Sequence, residues 1–430
     1  MTTQTILSAS DARILPASQV KERIQVVDVL RGFALFGILF AHLSNEFSAG
    51  MLPQRVYETM MSAPANTVMV VISNIFVQGK FYTIFSFLFG LSFALQLGSA
   101  QEKGGHFLSR YAWRLLILGV IGMIHHIHWR GDILTIYVIL GFVMLLFRNL
   151  SNKSLLIISL LLVMNLPARI TNMYETITAN PVPDKVQTDE KTKQQETKAE
   201  NYYDLIKKGS YVRNLQENFV AFADKMEFQI ESGRIYMTLG FFLMGLYTGR
   251  KKIFEHLAAN KTLFRKIFKH TGFTTLGLIA LACGLFLTPL MKDNPYANVI
   301  GSFIFDTGST SLTLFYIAGV TLLFTRNKWV RGLSYLAPVG KMALTSYLVQ
   351  TAFGLLIFQG YTLNLFAEIG VAAATALTLP IFLLQIFFSK WWLAKYQYGP
   401  IEWLWRSLTY LKLQPLARQA PITKPPQVVS

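Results

Sequence analysis

Long apolar runs recur along this chain, and the first of them, 26–43, also contains Asp28, Arg31 and His42. A run of about 20 apolar residues is long enough to cross a bilayer as an α-helix. Ionisable groups are costly inside such a span, so each of the three side chains is a functional candidate by default. The chain is therefore expected to place polar chemistry inside a membrane.

The spacing within this first run is informative. Arg31 and His42 are about three helical turns apart, which puts them on one helix face and about 16 Å apart along the axis. Asp28 lies one turn before Arg31 on nearly the same stripe. Two structural alternatives stay open: Asp28 and Arg31 form an ion pair from which Arg31 reaches the membrane surface, and His42 is an interfacial residue.

Composition extends this interpretation to the whole chain. Residues are 52% hydrophobic and 15% charged, whereas about a quarter of the residues in soluble domains are charged. The sequence predicts an all-α, polytopic helical membrane protein with about ten transmembrane helices. The predicted spans are 26–43, 81–98, 113–128, 132–147, 154–168, 235–249, 271–290, 298–324, 336–357 and 369–389. Segment 67–78 is open: an extra membrane segment, a re-entrant piece or an interfacial helix.

The distribution of positive charge predicts the orientation. The net charge is +17, and the short segments between predicted spans carry Lys and Arg mainly on one side, while Arg55, Arg130 and Lys292 lie on the other. Cytoplasmic loops have this excess, so both termini are predicted inside. Basic residues at the ends of spans argue against a nucleic-acid partner. The single cysteine, Cys283, lies in an apolar run, so no intrachain disulfide is expected.

A long polar insertion divides the chain. We predict a cytoplasmic leader, an N-terminal transmembrane half, an outer loop that is partly disordered, a C-terminal transmembrane domain and a cytoplasmic tail; these cover 1–25, 26–170, 171–233, 234–412 and 413–430. The centre of the loop, 181–201, is rich in Lys, Glu, Gln and Thr, a composition typical of disorder.

A second polar cluster, 124–132, lies between the third and fourth predicted spans. His125, His126, His128 and Asp132 fall within it, but their spacing matches no standard zinc motif, and no metal site is predicted. Proton transfer by His125 or His126, with Asp132 orienting the ring, is more natural chemistry. The alternative is a polar hairpin in which Gly131 makes the turn and Asp132 caps the next helix.

Further polar groups stand near predicted span ends. Lys80 either extends its amine to the membrane surface or meets an anionic group. Arg114 is about three turns before His125, which repeats the spacing of the first span. Segment 340–350 offers polar groups that could line a cavity, and the Trp, Tyr and Arg residues of 398–410 suit an interfacial helix.

The order of these motifs resembles the YeiB family of bacterial inner-membrane proteins. The matching stretches are 28–38, 79–81 with 85–90, His125 with Trp129 and 131–134, and 340–347 through 398–410. The resemblance implies a multi-pass protein of the bacterial cytoplasmic membrane whose second half is the family's C-terminal domain. It extends to transmembrane acyltransferases, such as heparan glucosaminide acetyltransferases and sugar O-acyltransferases; the latter carry an Arg and a His spaced like Arg31 and His42. At position 42 the usual YeiB residue is asparagine.

This resemblance implies an acyltransferase that takes acyl-CoA as co-substrate and a glycan or lipid as acceptor. The candidate catalytic residues are His42, His125, Asp28, Arg31 and Asp132. The candidate donor-binding residues are Arg31, Lys80 and Arg114. A transporter or exporter of a small solute or lipid-linked molecule is the alternative, and a non-catalytic membrane scaffold is the third hypothesis. The sequence indicates neither the acceptor nor the oligomeric state.

Overall fold

The computed structural model describes residues 24–418 apart from 49, 104–106, 179–184, 293 and 295. The predicted leader 1–25 and tail 413–430 therefore lie largely outside the described residues. The helices are α1 Gln25–Ala41, α2 Gln54–Met61, α3 Pro64–Phe76, α4 Phe81–Lys103, α5 Phe107–His128, α6 Leu134–Leu146, α7 Asn152–Val163, α8 Leu166–Thr178, α9 Lys185–Lys208, α10 Tyr211–Val220, α11 Phe222–Glu231, α12 Arg234–Arg250, α13 Leu257–Phe286, α14 Ala297–Phe324, α15 Asn327–Leu333, α16 Ala337–Lys341, α17 Ala343–Phe358, α18 Val371–Ala376, α19 Thr378–Lys395 and α20 Pro400–Tyr410.

These helices confirm the all-α, polytopic prediction. Within the described residues, 6 helices are long and apolar enough to cross a membrane, or up to 8 if each bent pair is one span. The two bent pairs are α7 with α8, at 45°, and α15–α16 with α17, at 82°. The predicted fourth and sixth spans correspond to the shorter helices α6 and α12. The count of ten therefore stays a prediction, as does the orientation.

Helix α1 lies at the centre of the bundle, because most of its side chains are buried on every side. Glycines let its neighbours approach closely. A Cβ on Gly340 of α16 would overlap the carbonyl oxygen of Asp28, and one on Gly37 would overlap the ring of Phe81 from α4. Small residues at such crossings allow backbone-to-backbone contact in membrane bundles.

Helices α4 and α12 form the second close crossing. A Cβ on Gly90 would overlap the carbonyl oxygen of Phe242, and one on Gly245 would overlap that of Phe87. The Ser86 hydroxyl lies 2.8 Å from the Tyr137 hydroxyl of α6. Helix α4 is thereby fixed between α1, α6 and α12, and its two ends carry residues of different polar clusters.

The polar insertion folds back onto the end of the bundle that carries the loop between α5 and α6. Helix α9 covers part of the segment for which composition favours disorder, and residues 179–184 lie outside the described part. Its end is anchored because Leu205 and Ile206 are buried and the carbonyl oxygen of Ile206 accepts a hydrogen bond from the N–H of Gly360 at 2.8 Å. Helices α10 and α11 follow, and α11 reaches the polar residues at the end of α5.

The break between α7 and α8 is at Asn165, whose φ of 55° is left-handed. Its amide nitrogen donates to the Asp306 carboxylate of α14 at 2.9 Å. Gly233, also left-handed, has no room for a Cβ because the Asn165 side chain fills that space. The bend is therefore held by side-chain contacts with two other helices.

Candidate functional site

A buried set of polar contacts surrounds His125 in the last turn of α5. Its Nδ1 lies 2.8 Å from Oδ1 of Asp132, and its Nε2 lies 2.9 Å from the Thr351 hydroxyl of α17. His125, Asp132 and Thr351 are all buried. A carboxylate accepts hydrogen bonds only, so in the neutral imidazole Nδ1 carries the proton and Nε2 offers its lone pair toward Thr351. The imidazole is therefore in the tautomer that a general base requires.

Asp132 has both roles that the sequence left open. Its carboxylate caps α6 by accepting from the N–H groups of Leu134 and Thr135, each at 3.0 Å, and it also orients His125. Burial alone would raise the pKa of this carboxyl, but the hydrogen bond from His125 and the nearby Lys225 ammonium hold it well below its usual range. Asp132 is therefore ionised and fixed in place.

Lys225 of α11 is the functional candidate that sequence reasoning missed. Its amine lies 3.2 Å from Oδ2 of Asp132, 2.8 Å from the Thr135 hydroxyl and 3.4 Å from Nδ1 of His126. Burial lowers the pKa of the Lys225 amine, an effect that the neighbouring Asp132 opposes. Nothing in the sequence distinguishes it from the solvated lysines of the insertion, because its partners are about 90 residues away.

His42 lies beside this group and contacts the same two aromatic rings as His125. Its ring centroid is 4.5 Å from that of Trp129 and 6.0 Å from that of Tyr347. The His125 ring is 5.8 Å and 5.0 Å from the same two rings. Nδ1 of His42 is buried and has no hydrogen-bond partner among the described residues. The structure thus brings both predicted histidines together.

A second cluster lies at the opposite end of α1. The Arg31 guanidinium is 2.7 Å from the Asp28 carboxylate, and it also donates to the Ser92 hydroxyl at 2.7 Å. One turn further along α4, Gln96 accepts from Arg114 at 2.8 Å. The Arg114 guanidinium in turn lies 4.1 Å from the centre of the Trp405 ring. The predicted ion pair is present, and two predicted donor-binding arginines stand side by side.

The remaining predicted residues are distributed between the two ends. About three turns of α1 separate Arg31 from His42. Lys80 is at the other end of α4 from Gln96; its buried amine donates to the carbonyl oxygen of Asn74 at 2.9 Å and lies 4.8 Å from the Phe305 ring centre. Lys80 is therefore not part of the arginine cluster.

Comparison with known proteins identifies the family. Residues 248–412 match the model of a protein family of unknown function, DUF418. The chain is 31% identical to the uncharacterized protein YxaH of Bacillus subtilis, over 95% of this chain and 99% of that protein. It is 26% identical to the uncharacterized protein YeiB of Escherichia coli, over 90% of this chain and 96% of that protein. The chain belongs to the YeiB-type DUF418 family. No solved structure matches it.

The DUF418 match begins in the last turns of α12, so it includes Thr351 and Tyr347 but not His42, His125, Asp132 or Lys225. The cluster around His125 therefore combines the named domain with the half of the chain that precedes it. The resemblance to transmembrane acyltransferases stays a prediction, because the relatives are described only as uncharacterized proteins.

The three histidines at the end of α5 point in different directions. His126 packs its ring on Phe222 at 5.2 Å between centroids, and His128 contacts the Tyr211 hydroxyl at 2.8 Å. In the part of the chain that the structure describes, no three His, Cys, Asp or Glu side chains are arranged to hold a metal ion.

Proposed function

We propose that this protein is a membrane acyltransferase in which His125 is the general base and Asp132 orients it. The observation that carries the proposal is the buried hydrogen-bonded line from Thr351 through His125 to Asp132. A positioned base of this kind contributes about 10²–10⁴-fold to a reaction. We place the protein in the bacterial cytoplasmic membrane on the ground of its family resemblance.

The proposed reaction uses the lone pair on Nε2 of His125. Nε2 of His125 takes the proton of an acceptor hydroxyl or amine, and the freed oxygen or nitrogen attacks the thioester carbonyl of acyl-CoA. Collapse of the tetrahedral intermediate breaks the carbon–sulfur bond, and the imidazolium returns its proton to the departing CoA sulfur. The products are an acylated acceptor and CoA, and His125 is regenerated. His42, with its unpartnered Nδ1, is the second candidate base or a donor to the oxyanion.

The donor is proposed to enter from the arginine cluster. Arg31 and Arg114 lie together there, and Nε of Arg406 is buried without a hydrogen-bond partner among the described residues. Guanidinium groups suit the phosphates of CoA. The slender pantetheine arm would then have to follow α1 toward His42, with a glycan or lipid acceptor approaching from the outer end.

Transport of a small solute or lipid-linked molecule is the second candidate, and the observation that favours it is the pair of bent spans. Helices α7 and α8 break beside the buried ion pair of Arg169 and Asp306. Broken helices with buried polar groups are typical of transporter binding sites. Stabilisation of the purified protein by acyl-CoA favours the enzyme, because a ligand raises the unfolding midpoint only if it binds the folded state.

The proposal is tested with protein purified in dodecyl maltoside, incubated with acetyl-CoA or palmitoyl-CoA and with membrane lipid and glycan extracts. Release of the CoA thiol is measured in a Cys283→Ser background, because Cys283 is exposed and would react with the thiol reagent. We expect His125→Asn to lower release by about 10² or more. His128→Asn is the matched control on the same helix, and it should keep the activity. Equal release by the two variants would overturn the assignment of His125.

A further inference from the structure

A cavity of about 560 Å³ lies apart from the His125 cluster, and none of the residues used in the proposed reaction lines it. Its walls come from the start of α4, from α8, from the end of α11 and the start of α12, and from the end of α13 and the first half of α14. A cavity of this size is in the range that holds a small molecule. It therefore offers space for a ligand outside the general-base site.

The buried part of the lining lacks hydrogen bonds and not charge. Nε of Arg169 lies 3.0 Å from Oδ2 of Asp306, so the two charges offset each other. The N–H is not directed at that oxygen, however, and Nε has no hydrogen-bond partner among the described residues. One turn along α14, Ser309 is 1% exposed, and its hydroxyl is likewise without a partner there. Buried polar groups in this state cost free energy unless a bound molecule completes their hydrogen bonds.

The charges of the lining are matched. Besides Arg169 and Asp306, the cavity is lined by Arg234 and Glu231, and none of the ion pairs formed by the described residues includes either of these two. The lining thus carries two positive and two negative groups. Lys80 is nearby but does not line the cavity, and its amine donates to a backbone carbonyl oxygen. Electrostatic complementarity therefore favours a ligand without net charge.

Aromatic rings lie beside these polar groups. The Arg234 guanidinium is 5.0 Å from the Phe228 ring centre. Phe305 lies beside the Ser309 hydroxyl, because a Cβ on Gly79 would have the hydroxyl oxygen at 3.3 Å and the Phe305 ring at 3.9 Å. Ring faces and hydrogen-bonding groups are therefore intermixed around the cavity, which suits a ligand whose own C–H and polar surfaces are intermixed.

We propose that this cavity binds a neutral polyhydroxylated molecule, such as a sugar. A hydroxyl group both donates and accepts hydrogen bonds, so the hydroxyls of one ligand can accept from Nε of Arg169, bond to Ser309 and donate to the carboxylate of Glu231. Its C–H groups would pack on the rings of Phe228 and Phe305. An apolar ligand would leave the buried N–H and hydroxyl without partners. A zwitterion would add a second pair of charges where the buried pair already offset each other.

Helix α11 connects this cavity to the histidine cluster. Lys225 contacts Asp132, and Phe228, one turn later on the same helix, lines the cavity. Use of the bound molecule as the acyl acceptor rests on the function proposed above, whereas its binding does not. The test measures binding without turnover, so that a failure of binding and a failure of acyl transfer are seen separately.

The test uses the full chain in octaethylene glycol monododecyl ether, because the headgroup of a maltoside detergent is itself a sugar. Thermal unfolding is followed by tryptophan fluorescence with glucose, galactose, N-acetylglucosamine or mannitol at millimolar concentration, well below the range in which sugars stabilise proteins by exclusion. We expect at least one of the four to raise the unfolding midpoint in a saturable way. Gluconate, glucosamine and glycine betaine, which are anionic, cationic and zwitterionic, should not raise it.

Two variants locate the response in the cavity. Ser309→Ala should weaken the apparent affinity about two- to tenfold, as the loss of one hydrogen bond implies. Ser311→Ala is the matched control on the same helix, because the Ser311 hydroxyl donates to the carbonyl oxygen of Thr271 and does not line the cavity. Gly301→Leu fills part of the cavity, where a Cβ would have the Phe286 ring as its nearest neighbour, and it should abolish the response.

Three results would overturn the proposal. The first is an unchanged midpoint with all four neutral compounds, since the cavity would then hold none of them. The second is a rise with glycine betaine alone, which would make this a site for zwitterions. The third is a rise of equal size in wild type, Ser309→Ala and Gly301→Leu, which would place the bound sugar elsewhere on the protein.

Discussion

The amine of Lys225 lies 3.2 Å from the Oδ2 atom of Asp132, although about 90 residues separate the two in sequence. The contact joins the polar insertion to the loop between α5 and α6. A segment whose composition is typical of a solvated loop therefore supplies a charge to the most buried carboxylate of the candidate site.

Removal of this amine should destabilise the fold. Lys225→Met leaves the Asp132 carboxylate buried without its cation, and breaking a buried pair costs about 3–5 kcal/mol. We expect a lower unfolding midpoint in an SDS titration followed by tryptophan fluorescence. Lys208→Met, in the same insertion, removes a lysine that is paired with Asp204 on the surface and should leave the midpoint unchanged. Similar midpoints for the two variants would contradict the buried role of Lys225.

Replacement of Thr351 distinguishes two roles for its hydroxyl. The Thr351 hydroxyl could merely occupy the position that the hydroxyl of the acyl acceptor takes during the reaction. In that case, Thr351→Val should keep turnover within a few-fold of wild type. The variant should lose about 0.5–1.5 kcal/mol of stability, because it lacks the hydrogen bond to His125. Thr351→Ser should match wild type in both measurements. Loss of turnover as complete as in His125→Asn would show instead that the Thr351 hydroxyl takes part in the reaction.

The arginine cluster should act on donor affinity. Arg114→Gln removes a guanidinium that bonds Gln96 and stacks on Trp405. We expect the KM for acyl-CoA to rise about tenfold with kcat nearly unchanged, because the lost interaction is present equally in the ground and transition states. Arg55→Gln, on an exposed pair with Glu200, serves as control. A fall in kcat without a change in KM would place Arg114 at the reacting centre and not at the donor.

The crossing of α16 over α1 should tolerate no added atom. Gly340→Ala puts a methyl group onto the carbonyl oxygen of Asp28, and the SDS unfolding midpoint should drop clearly. Gly277→Ala is the control, because a Cβ there has no heavy atom within 4 Å and should gain about 0.5–1 kcal/mol of helix stability. Equal behaviour of these variants would mean that α16 and α1 separate easily.

Glu402 of α20 should give stability a pH dependence. Burial raises the pKa of this carboxyl from 4.5, although Thr345 and the N–H of Leu344 donate hydrogen bonds to it. A raised pKa means that the stabilisation is fully present below pH 4.5 and is lost as the pH rises through the folded-state value. The wild-type midpoint should therefore fall across this window relative to that of Glu402→Gln. Glu58→Gln, on the exposed face of α2, should follow wild type.

Much of what the sequence could predict came from the spacing of residues along single helices. The ion pair of Asp28 and Arg31 follows from their separation by one turn, and the contact of His125 with Asp132 follows from the short loop between α5 and α6. The apolar runs predicted the helices themselves. Where the helices break, at Asn165 and Met342, the sequence predicted the single spans 154–168 and 336–357 and the structure has bent pairs.

Contacts between distant segments could not be predicted in this way. Lys225 has the same sequence context as the exposed lysines around it, and only the folding of α11 onto α5 distinguishes it. Thr351 follows Tyr347 by one turn of α17, so helical spacing was an available signal for it. Lys80 resembles a donor-binding residue by its place at a span end, but α4 holds it at the end opposite to Arg31. Whether Lys80 lies near Arg31 depends on the depth of each residue in the bundle, and residue spacing in the sequence does not give that depth.

The 82° bend before α17 has a consequence for the surrounding bilayer. The helix has 16 residues, so it rises about 24 Å, less than the hydrocarbon thickness of about 30 Å. Lipid beside such a short segment has to thin, or the flanking residues have to reach outward. The aqueous phases on the two sides therefore lie closer together beside α17 than beside a full-length span, and a charged substrate crossing there would meet a thinner hydrocarbon layer.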